Sequence, residues 1–447
     1  MEERDAIVIG AGNAGQGAAG VLREQLERVA IVEERDVGGV CPLRGCVPKK
    51  VLVAVAEALD VIERAGRLSI DVAPPRIDWG AVIERKEEIL SGTSASMEKD
   101  LAAKGIELVR GPARFTGSDQ VAVGERTLRA PRIVIATGSR PRPLSFPGAE
   151  LLAISDDLLE MREPPQSMVF VGAGVVAFEL GHVYARLGTR VTLLEVAPRP
   201  LGNFDEDAVA RLVAVTGKLG IEVHAGVRID GIDARGDQRV IRYHDAGGRD
   251  GELACAIAVN GAGRVADVDR LDPAAAGVDV AKGAVVTGAL FTSRSNPGVY
   301  IAGDALAGTP QLSPVATWEG RLAARAALGQ DVQADYDTIP SAVFSVPALA
   351  QVGLTAETAS KRGLRFDVKV NDMNGWRSGR TYAERDAWAK LLVGDGGRIL
   401  GATLLGHGAA EVINLIALAM RAGVTGPALA GSVWAYPTFS SDLKFLV

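Results

Sequence analysis

Short apolar runs that stop abruptly at glycine or an acid set the rhythm of this chain. Ala6-Ile7-Val8-Ile9 runs without a polar residue into Gly10-Ala11-Gly12-Asn13-Ala14-Gly15; a helix-forming stretch follows, and a second run, Val29 to Val32, stops at Glu33. Unbroken apolar runs of this length, bounded by turn residues, predict strands buried on both faces, as in a parallel sheet. The design recurs further on. Met168 to Val171 leads into Gly172-Ala173-Gly174-Val175-Val176-Ala177, and the strand from Arg190 to Leu194 ends at Glu195. In both copies 23 positions separate the first glycine from the acid. Two more runs end similarly: Ile133-Val134-Ile135-Ala136 at Thr137-Gly138, and Val299-Tyr300-Ile301-Ala302 at Gly303-Asp304.

Each repeated segment reads as a βαβ unit with a dinucleotide site. Glycine makes the strand-to-helix turn and lets a pyrophosphate approach the N–H groups of the helix N-terminus, while the acid accepts a ribose hydroxyl. A single glycine-rich turn is weak evidence, since such turns are common. Two of them, each after a strand and each with its acid at the same distance, predict two nucleotide sites.

At 447 residues the chain has room for about three domains. Hydrophobic residues make up 47% and charged residues 23%, and the 53 glycines exceed the average share of about 7%. A net charge of −6 argues against nucleic acid or an anionic membrane as partner. No apolar run approaches ~18 residues, and the first strand begins almost at Met1 without a charged-then-apolar leader, so a cytoplasmic protein is expected.

Two of the three cysteines fall in Gly38-Gly39-Val40-Cys41-Pro42-Leu43-Arg44-Gly45-Cys46-Val47-Pro48-Lys49-Lys50, with Cys41 eight residues after Glu33. If the segment opens a helix, with Pro42 tolerated in the first turn, a thiol at Cys41 or Cys46 feels the positive helix end and Arg44, Lys49 and Lys50. These surroundings favour the thiolate. Thiols five positions apart can close a small ring, one attacking a disulfide while the other resolves the mixed disulfide. Against this stand a structural disulfide, improbable in a cytosolic chain, a zinc site without its second ligand pair, and two buried unpaired cysteines, which would not explain the flanking glycines and lysines. Cys255, in an apolar stretch, reads as a core residue.

The dithiol segment and the two glycine motifs, taken in order, resemble the flavin-dependent pyridine nucleotide-disulfide oxidoreductases, the family of glutathione reductase, dihydrolipoamide dehydrogenase and mercuric reductase. The resemblance implies an α/β fold of two Rossmann-like dinucleotide-binding domains, the FAD domain (1–148 and 265–335) being split by an inserted NAD domain (149–264), followed by a C-terminal α+β dimerisation domain (336–447). For FAD it implies Gly10, Gly12, Gly15, Glu33, Thr137, Gly138, Gly303 and Asp304, the last on the ribityl chain, with Pro314-Val315-Ala316 and Glu319-Gly320-Arg321 completing the pattern. For NAD it implies Gly172, Gly174, Ala177 and Glu195. A carboxylate at a strand end pairs with a free 2′-hydroxyl and repels a 2′-phosphate, which favours NADH over NADPH. Arg190 and Arg199 lie nearby, but the positions where NADPH-using members carry arginines read as Val196 and Gly202. The resemblance also implies that Cys46 is the flavin-side thiol and Cys41 the interchange thiol, and that Lys50 and Glu179 form an ion pair beside the flavin. No metal site is implied.

The far end departs from the family. Disulfide-reducing members carry a histidine, held by a glutamate five residues later, as acid and base across a homodimer. Here the segment is Trp434-Ala435-Tyr436-Pro437-Thr438-Phe439-Ser440-Ser441-Asp442, with Tyr436 for the histidine and Ser441 for the glutamate. A phenol with a pKa near ~10 is a poor base at neutral pH. None of His182, His224, His244 and His407 lies in the segment, and His407 reads as an interface or capping residue. Mercuric reductases carry a tyrosine nearby but need a C-terminal cysteine pair that Leu443-Lys444-Phe445-Leu446-Val447 lacks. The expectation is thus a homodimeric FAD enzyme passing electrons from NADH through the Cys41/Cys46 disulfide to a small disulfide or dithiol, a protein-bound lipoyl group included. The alternatives are a flavin-dependent reductase of quinones, metal ions or other electrophiles, and a non-enzymatic flavin redox sensor.

Overall fold

A computed structural model describes every residue except Leu290 and Val447. The chain divides into two compact units. The first comprises residues 1–49, 84–142 and 264–336, the second residues 50–83, 143–263 and 337–447. Residues 50–83, which hold most of the helix after the dithiol and the segment beyond it, thus group with the second unit.

The first unit is built on a five-stranded parallel sheet. Its order is Val299–Ile301, Ile133–Ile135, Ala6–Ile9, Val29–Glu33, Glu107–Arg110. The first four are the apolar runs seen in the sequence, and Ala6, Ile7, Val8, Val134 and Ile135 are fully buried because helices and loops cover both faces. Connections leave Ala6–Ile9 in opposite directions along the sheet, and the crevice beyond the carboxyl end of such a strand is where ligands bind in open α/β sheets. Helix Asn13–Arg23 lies against helix Ser313–Ala327. Their approach depends on missing side chains: a Cβ on Gly17 would come within 2.6 Å of Thr317 O, and one on Gly320 within 2.0 Å of Ala14 O. A smaller four-stranded sheet, Glu2–Glu3, Arg126–Arg129, Gln120–Val123 and Ala113–Gly117, completes the unit.

The second unit repeats the theme. Its parallel sheet runs Glu222–Ala225, Arg190–Glu195, Ser167–Val171, Ile257–Asn260, again with the chain reversing direction at the strand that precedes a glycine turn. A three-stranded antiparallel sheet, Arg228–Arg235, Gln238–His244 and Asp250–Cys255, follows. Cys255 is fully buried in the cluster of Val169, Leu194 and Ile241, the core role its apolar context predicts. The last part is a five-stranded antiparallel sheet in the order Ser341–Val343, Ala348–Gly353, Ile399–Gly406, Trp388–Gly394, Phe366–Asp372. Helix Ala409–Arg421 turns Val412, Ile413 and Ile416 onto it and leaves Leu418 64% exposed. Among the described residues no helix is long and apolar enough to cross a membrane. The architecture is the mixed α/β fold with two parallel-sheet dinucleotide motifs and a C-terminal α+β part that the resemblance implies.

Candidate active site

The dithiol segment forms two helices rather than one. Cys41 sits in a short turn of helix, Val40–Arg44; Gly45, with φ −145° and ψ −109°, breaks it, and Cys46 begins the 19-residue helix Cys46–Arg64. The break sorts the two thiols. Cys46 takes the end of a long helix, where the macrodipole favours an anion, while Cys41 has only five residues of helix about it. Both cysteines are free thiols, Cys46 exposed and Cys41 half-buried, and they hydrogen-bond each other.

That contact corrects one expectation. The sequence reading has either thiol favoured as thiolate, yet the Cys41 thiol is held well above the usual thiol range. Its hydrogen bond to Cys46 is the leading cause and burial the second, with the hydroxyl of Ser313 and the charge of Lys49 pulling the other way. Two sulfurs in contact cannot both be anionic, so Cys41 keeps the proton. Arg44, counted among the cations that would favour a thiolate, instead pairs with Asp36 at 2.9 Å.

Ser313 is the residue that sequence reasoning missed. It opens helix Ser313–Ala327, and its Oγ lies 3.2 Å from Cys46 Sγ. The signal is faint: a hydroxyl residue directly before Pro314-Val315-Ala316, a segment that enters only as completing the flavin pattern of the resemblance.

Around the first glycine turn, Gly10 (φ +104°) leaves the strand so tightly that a Cβ there would fall 2.4 Å from Ala136 O, and one on Gly15 would fall 1.7 Å from Gly10 O. Gly12 differs: its Cβ would meet nothing closer than Gly39 Cα at 3.8 Å. The protein thus leaves space beside Gly12 that a side chain would fill. Glu33 spans the turn, its Oε2 accepting from Ala11 N–H at 2.8 Å and its Oε1 from Arg35 N–H at 2.8 Å. Thr137 Oγ1 is buried and has no hydrogen-bond partner among the described residues. Gly303 N–H donates to the buried Glu319, whose other oxygen accepts from Tyr336 O–H at 2.7 Å. Asp304 accepts from Ser139 Oγ at 2.8 Å; burial raises its pKa, with Ser139 and the charge of Arg264 opposing. A cradle beside Gly12, an unsatisfied hydroxyl at Thr137 and an acid at Asp304 fit a dinucleotide with a polyhydroxylated chain, such as FAD.

The second turn copies the first. Gly172 has φ +102°, and Glu195 accepts from Ala173 N–H at 2.8 Å and from Ala197 N–H at 2.9 Å, the same two bonds that Glu33 makes. Gly174 precedes helix Val175–Arg186, and Ala177 is fully buried within it. Arg199 spends both terminal nitrogens on the carbonyls of Phe204 and Gly202. Arg190 begins the strand that Glu195 ends, roughly 16 Å away at the rise of a β-strand. Arg199 is thus committed to its own loop, and Arg190 lies at the far end of the strand.

Lys50 and Glu179 both contact Phe344. Lys50 Nζ pairs with Glu57 Oε1 at 2.6 Å, two turns along the same helix, and stands 4.7 Å over the Phe344 ring. Glu179 Oε1 accepts from Phe344 N–H at 2.9 Å. Glu57 follows Lys50 at a spacing that brings a long ammonium side chain and a carboxylate together.

At the C-terminus Tyr436 is 60% exposed, with Lys444 Nζ 5.3 Å over its ring. Ser441 is buried and closes a turn: its Oγ accepts from Thr438 N–H at 3.0 Å and donates to Thr438 O at 2.7 Å. It holds backbone, not a base. The neighbouring Asp442 is buried, takes Ser378 N–H at 3.3 Å, and leaves Oδ1 without a partner among the described residues. His407 packs against the rings of Tyr382 and Phe439. His182 is fully buried, between Val346 N–H and Thr216. His224 and His244 face Glu222 and the pair Asp230 and Asp250 on the sheets of the second unit.

Two family models match the chain. Residues 4–320 match the family model for pyridine nucleotide-disulphide oxidoreductases, and residues 339–446 match that family's dimerisation domain. The chain is 31% identical to a dihydrolipoyl dehydrogenase of Geobacillus stearothermophilus over 98% of its own length and 94% of the relative's. It is 33% identical to one from Thermus scotoductus, covering 99% and 96%. Among solved structures, the HOCl-induced flavoprotein disulfide reductase RclA from Escherichia coli superposes with a TM-score of 0.86 at 25% identity, covering 99% of each chain. The protein is an FAD- and NADH-dependent oxidoreductase acting on disulfides, and it belongs to the pyridine nucleotide-disulphide oxidoreductase family.

Proposed function

We propose that this chain is a homodimeric, cytoplasmic enzyme that passes electrons from NADH through FAD to Cys41 and Cys46 and on to a small disulfide, a lipoyl group being the favoured acceptor given its relatives. In this reading residues 1–148 and 265–335 hold the flavin and residues 149–264 the nicotinamide nucleotide. Residues 336–447, whose last residue lies outside the described ones, form the dimer interface.

Gly10, Gly12 and Gly15, with the N-terminus of helix Asn13–Arg23, would take the flavin pyrophosphate, Glu33 a ribose, and Thr137, Gly138, Gly303 and Asp304 the rest of the molecule. Bound FAD supplies two-electron transfer between nicotinamide and sulfur. Lys50 supplies positive charge on the helix that Cys46 begins, with Glu179 held nearby through Phe344. Once the pair is reduced, Cys46 carries the thiolate and Cys41 the proton. When that proton passes to Cys46, the Cys41 thiolate attacks one sulfur of the acceptor disulfide. A mixed disulfide forms, and the expelled acceptor thiolate takes the proton from Cys46. The Cys46 thiolate then attacks Cys41 Sγ, re-forming the Cys41–Cys46 disulfide and releasing the second acceptor sulfur, which takes a proton from water.

The observation that carries this reading is the hydrogen-bonded thiol pair with Cys46 at the head of a 19-residue helix. Replacing both cysteines by serine tests it: NADH-dependent lipoamide reduction should disappear while FAD stays bound. A second reading is favoured by the C-terminal segment, which offers a phenol and no imidazole. With quinones or metal ions as acceptors no protonated leaving group is needed, and the double serine variant would keep its NADH oxidation. A flavin redox sensor would show negligible turnover in the unmutated protein.

A further inference from the structure

The hydroxyl of Ser313 touches both reacting sulfurs. It stands 3.2 Å from Cys46 Sγ and also hydrogen-bonds Cys41, which itself hydrogen-bonds Cys46. The three groups close a ring in which each can donate and each can accept. The position of Ser313 is tightly fixed. Its carbonyl accepts from Asn13 Nδ2 at 3.4 Å and from Thr317 Oγ1 at 3.2 Å, and Pro314 comes next in the first helical turn. The helix it opens is held against Asn13–Arg23 at the side-chain-free contacts of Gly17 and Gly320. A hydroxyl on so rigid a mount keeps its geometry when the sulfurs change oxidation state.

We propose that Ser313 is a further catalytic residue of the dithiol, its hydroxyl stabilising the Cys46 thiolate and relaying the proton between the two sulfurs. The inference rests on the dithiol reading above. The relay conserves atoms and charge: Cys41 S–H gives its proton to Ser313 Oγ as Ser313 O–H gives its own to Cys46 S⁻. The result is Cys41 S⁻, an intact hydroxyl and Cys46 S–H. No electrons move in this step. It prepares the nucleophile without an imidazole, the group that the segment from Trp434 to Asp442 lacks. Serine is far too weak an acid or base to do this in isolation; it works by moving two protons in concert along existing hydrogen bonds.

The test uses the FAD-loaded holoenzyme reduced with NADH. In a Cys41→Ser background, the pH dependence of iodoacetamide alkylation reports the Cys46 thiolate with no acceptor needed. Adding Ser313→Ala should move that profile to higher pH and slow alkylation at neutral pH roughly 10- to 100-fold, the range of a lost hydrogen bond to a charged group. Ser313→Thr should restore it. With both cysteines present, Ser313→Ala should slow the single-turnover reduction of lipoamide by a similar factor. Unchanged alkylation and lipoamide rates in Ser313→Ala would overturn the proposal. So would failure of Ser313→Thr alongside Ser313→Ala with flavin content and melting temperature intact, since the hydroxyl would then not be what matters. Loss of the dithiol reading has a different signature: the double cysteine variant would itself turn over lipoamide.

Discussion

At the scale of single residues the two thiols are unequal before any flavin is considered. Cys46 has a long helix end, and Cys41 has a sulfur neighbour that raises its pKa. Reduction by two electrons should therefore produce a long-wavelength absorbance from the Cys46 thiolate that survives in Cys41→Ser and vanishes in Cys46→Ser; the opposite pattern would reverse the assignment. Because Cys41 holds its proton above the ordinary thiol range and hands it to Cys46 rather than to water, the rate of reaction with a disulfide acceptor should show no titration of Cys41 across the neutral and mildly alkaline range. Glycines permit an equally sharp comparison. Gly12→Ala places a methyl where the protein leaves room and a pyrophosphate would sit, so the variant should fold and lose FAD, read from the absorbance of the purified protein. Gly15→Ala forces a carbon to 1.7 Å from Gly10 O and should reduce soluble yield instead. A Gly12→Ala protein with full flavin would remove the site from that turn. The glycines were legible in the sequence because their spacing reflects backbone geometry. Ser313 was not, because its partner lies 267 positions away and a serine before proline has no signature of its own.

At the scale of elements, the parallel strands were legible as unbroken apolar runs, whereas the ties between one element and another were not. The break at Gly45, which gives Cys46 its own helix, falls within a segment that reads as a single helix start. Lys390 on strand Trp388–Gly394 pairs with Asp205, the N-cap of helix Glu206–Lys218, at 2.8 Å with both side chains buried; 185 positions separate them, and no local pattern announces the pair. His182 is a third such tie. Its ring accepts from Val346 N–H and faces Thr216, whose own hydroxyl donates to Leu212 O, so the imidazole is neutral and serves as a donor at Nε2. Burial, then the charge of Arg186, pushes its pKa down to about 3. Above the ordinary histidine range neither folded nor unfolded chain binds a proton there, and stability is unaffected. Below about pH 6.5 the unfolded chain alone takes up the proton, so stability should fall by up to about 1.4 kcal/mol per pH unit until about pH 3. Urea titrations of His182→Gln and the unmutated protein between pH 7 and 4.5 check this: the variant should begin less stable and lose less on acidification. Parallel losses would exclude His182 as the acid-sensitive group.

At the scale of the whole molecule, the family's dimer would bring the segment from Trp434 to Asp442 to the partner's dithiol, and this chain brings a phenol. Tyr436 is 60% and Val433 fully exposed in the single chain, and Ser441 is committed to its own turn. Turnover of lipoamide or glutathione-type disulfides should therefore fall short of what an imidazole supports by roughly 10²–10⁴-fold, the contribution of a positioned acid or base. Tyr436→His should recover part of that deficit and Tyr436→Phe should not. Fast lipoamide turnover indifferent to both changes would leave Tyr436 a packing residue. The paired carboxylates Glu33 and Glu195 bear on a different matter, the exchange of one nucleotide for another by design. Each fastens two backbone N–H groups, one in its glycine turn and one just beyond its own strand. In the function proposed above, selectivity and scaffold share one side chain. Glu195→Ala should narrow the NADH to NADPH ratio of kcat/KM, but the freed Ala173 N–H should also loosen the turn and raise KM for both nucleotides. A redesign toward NADPH would need a new acceptor for those amides before it needs a new cation for the phosphate.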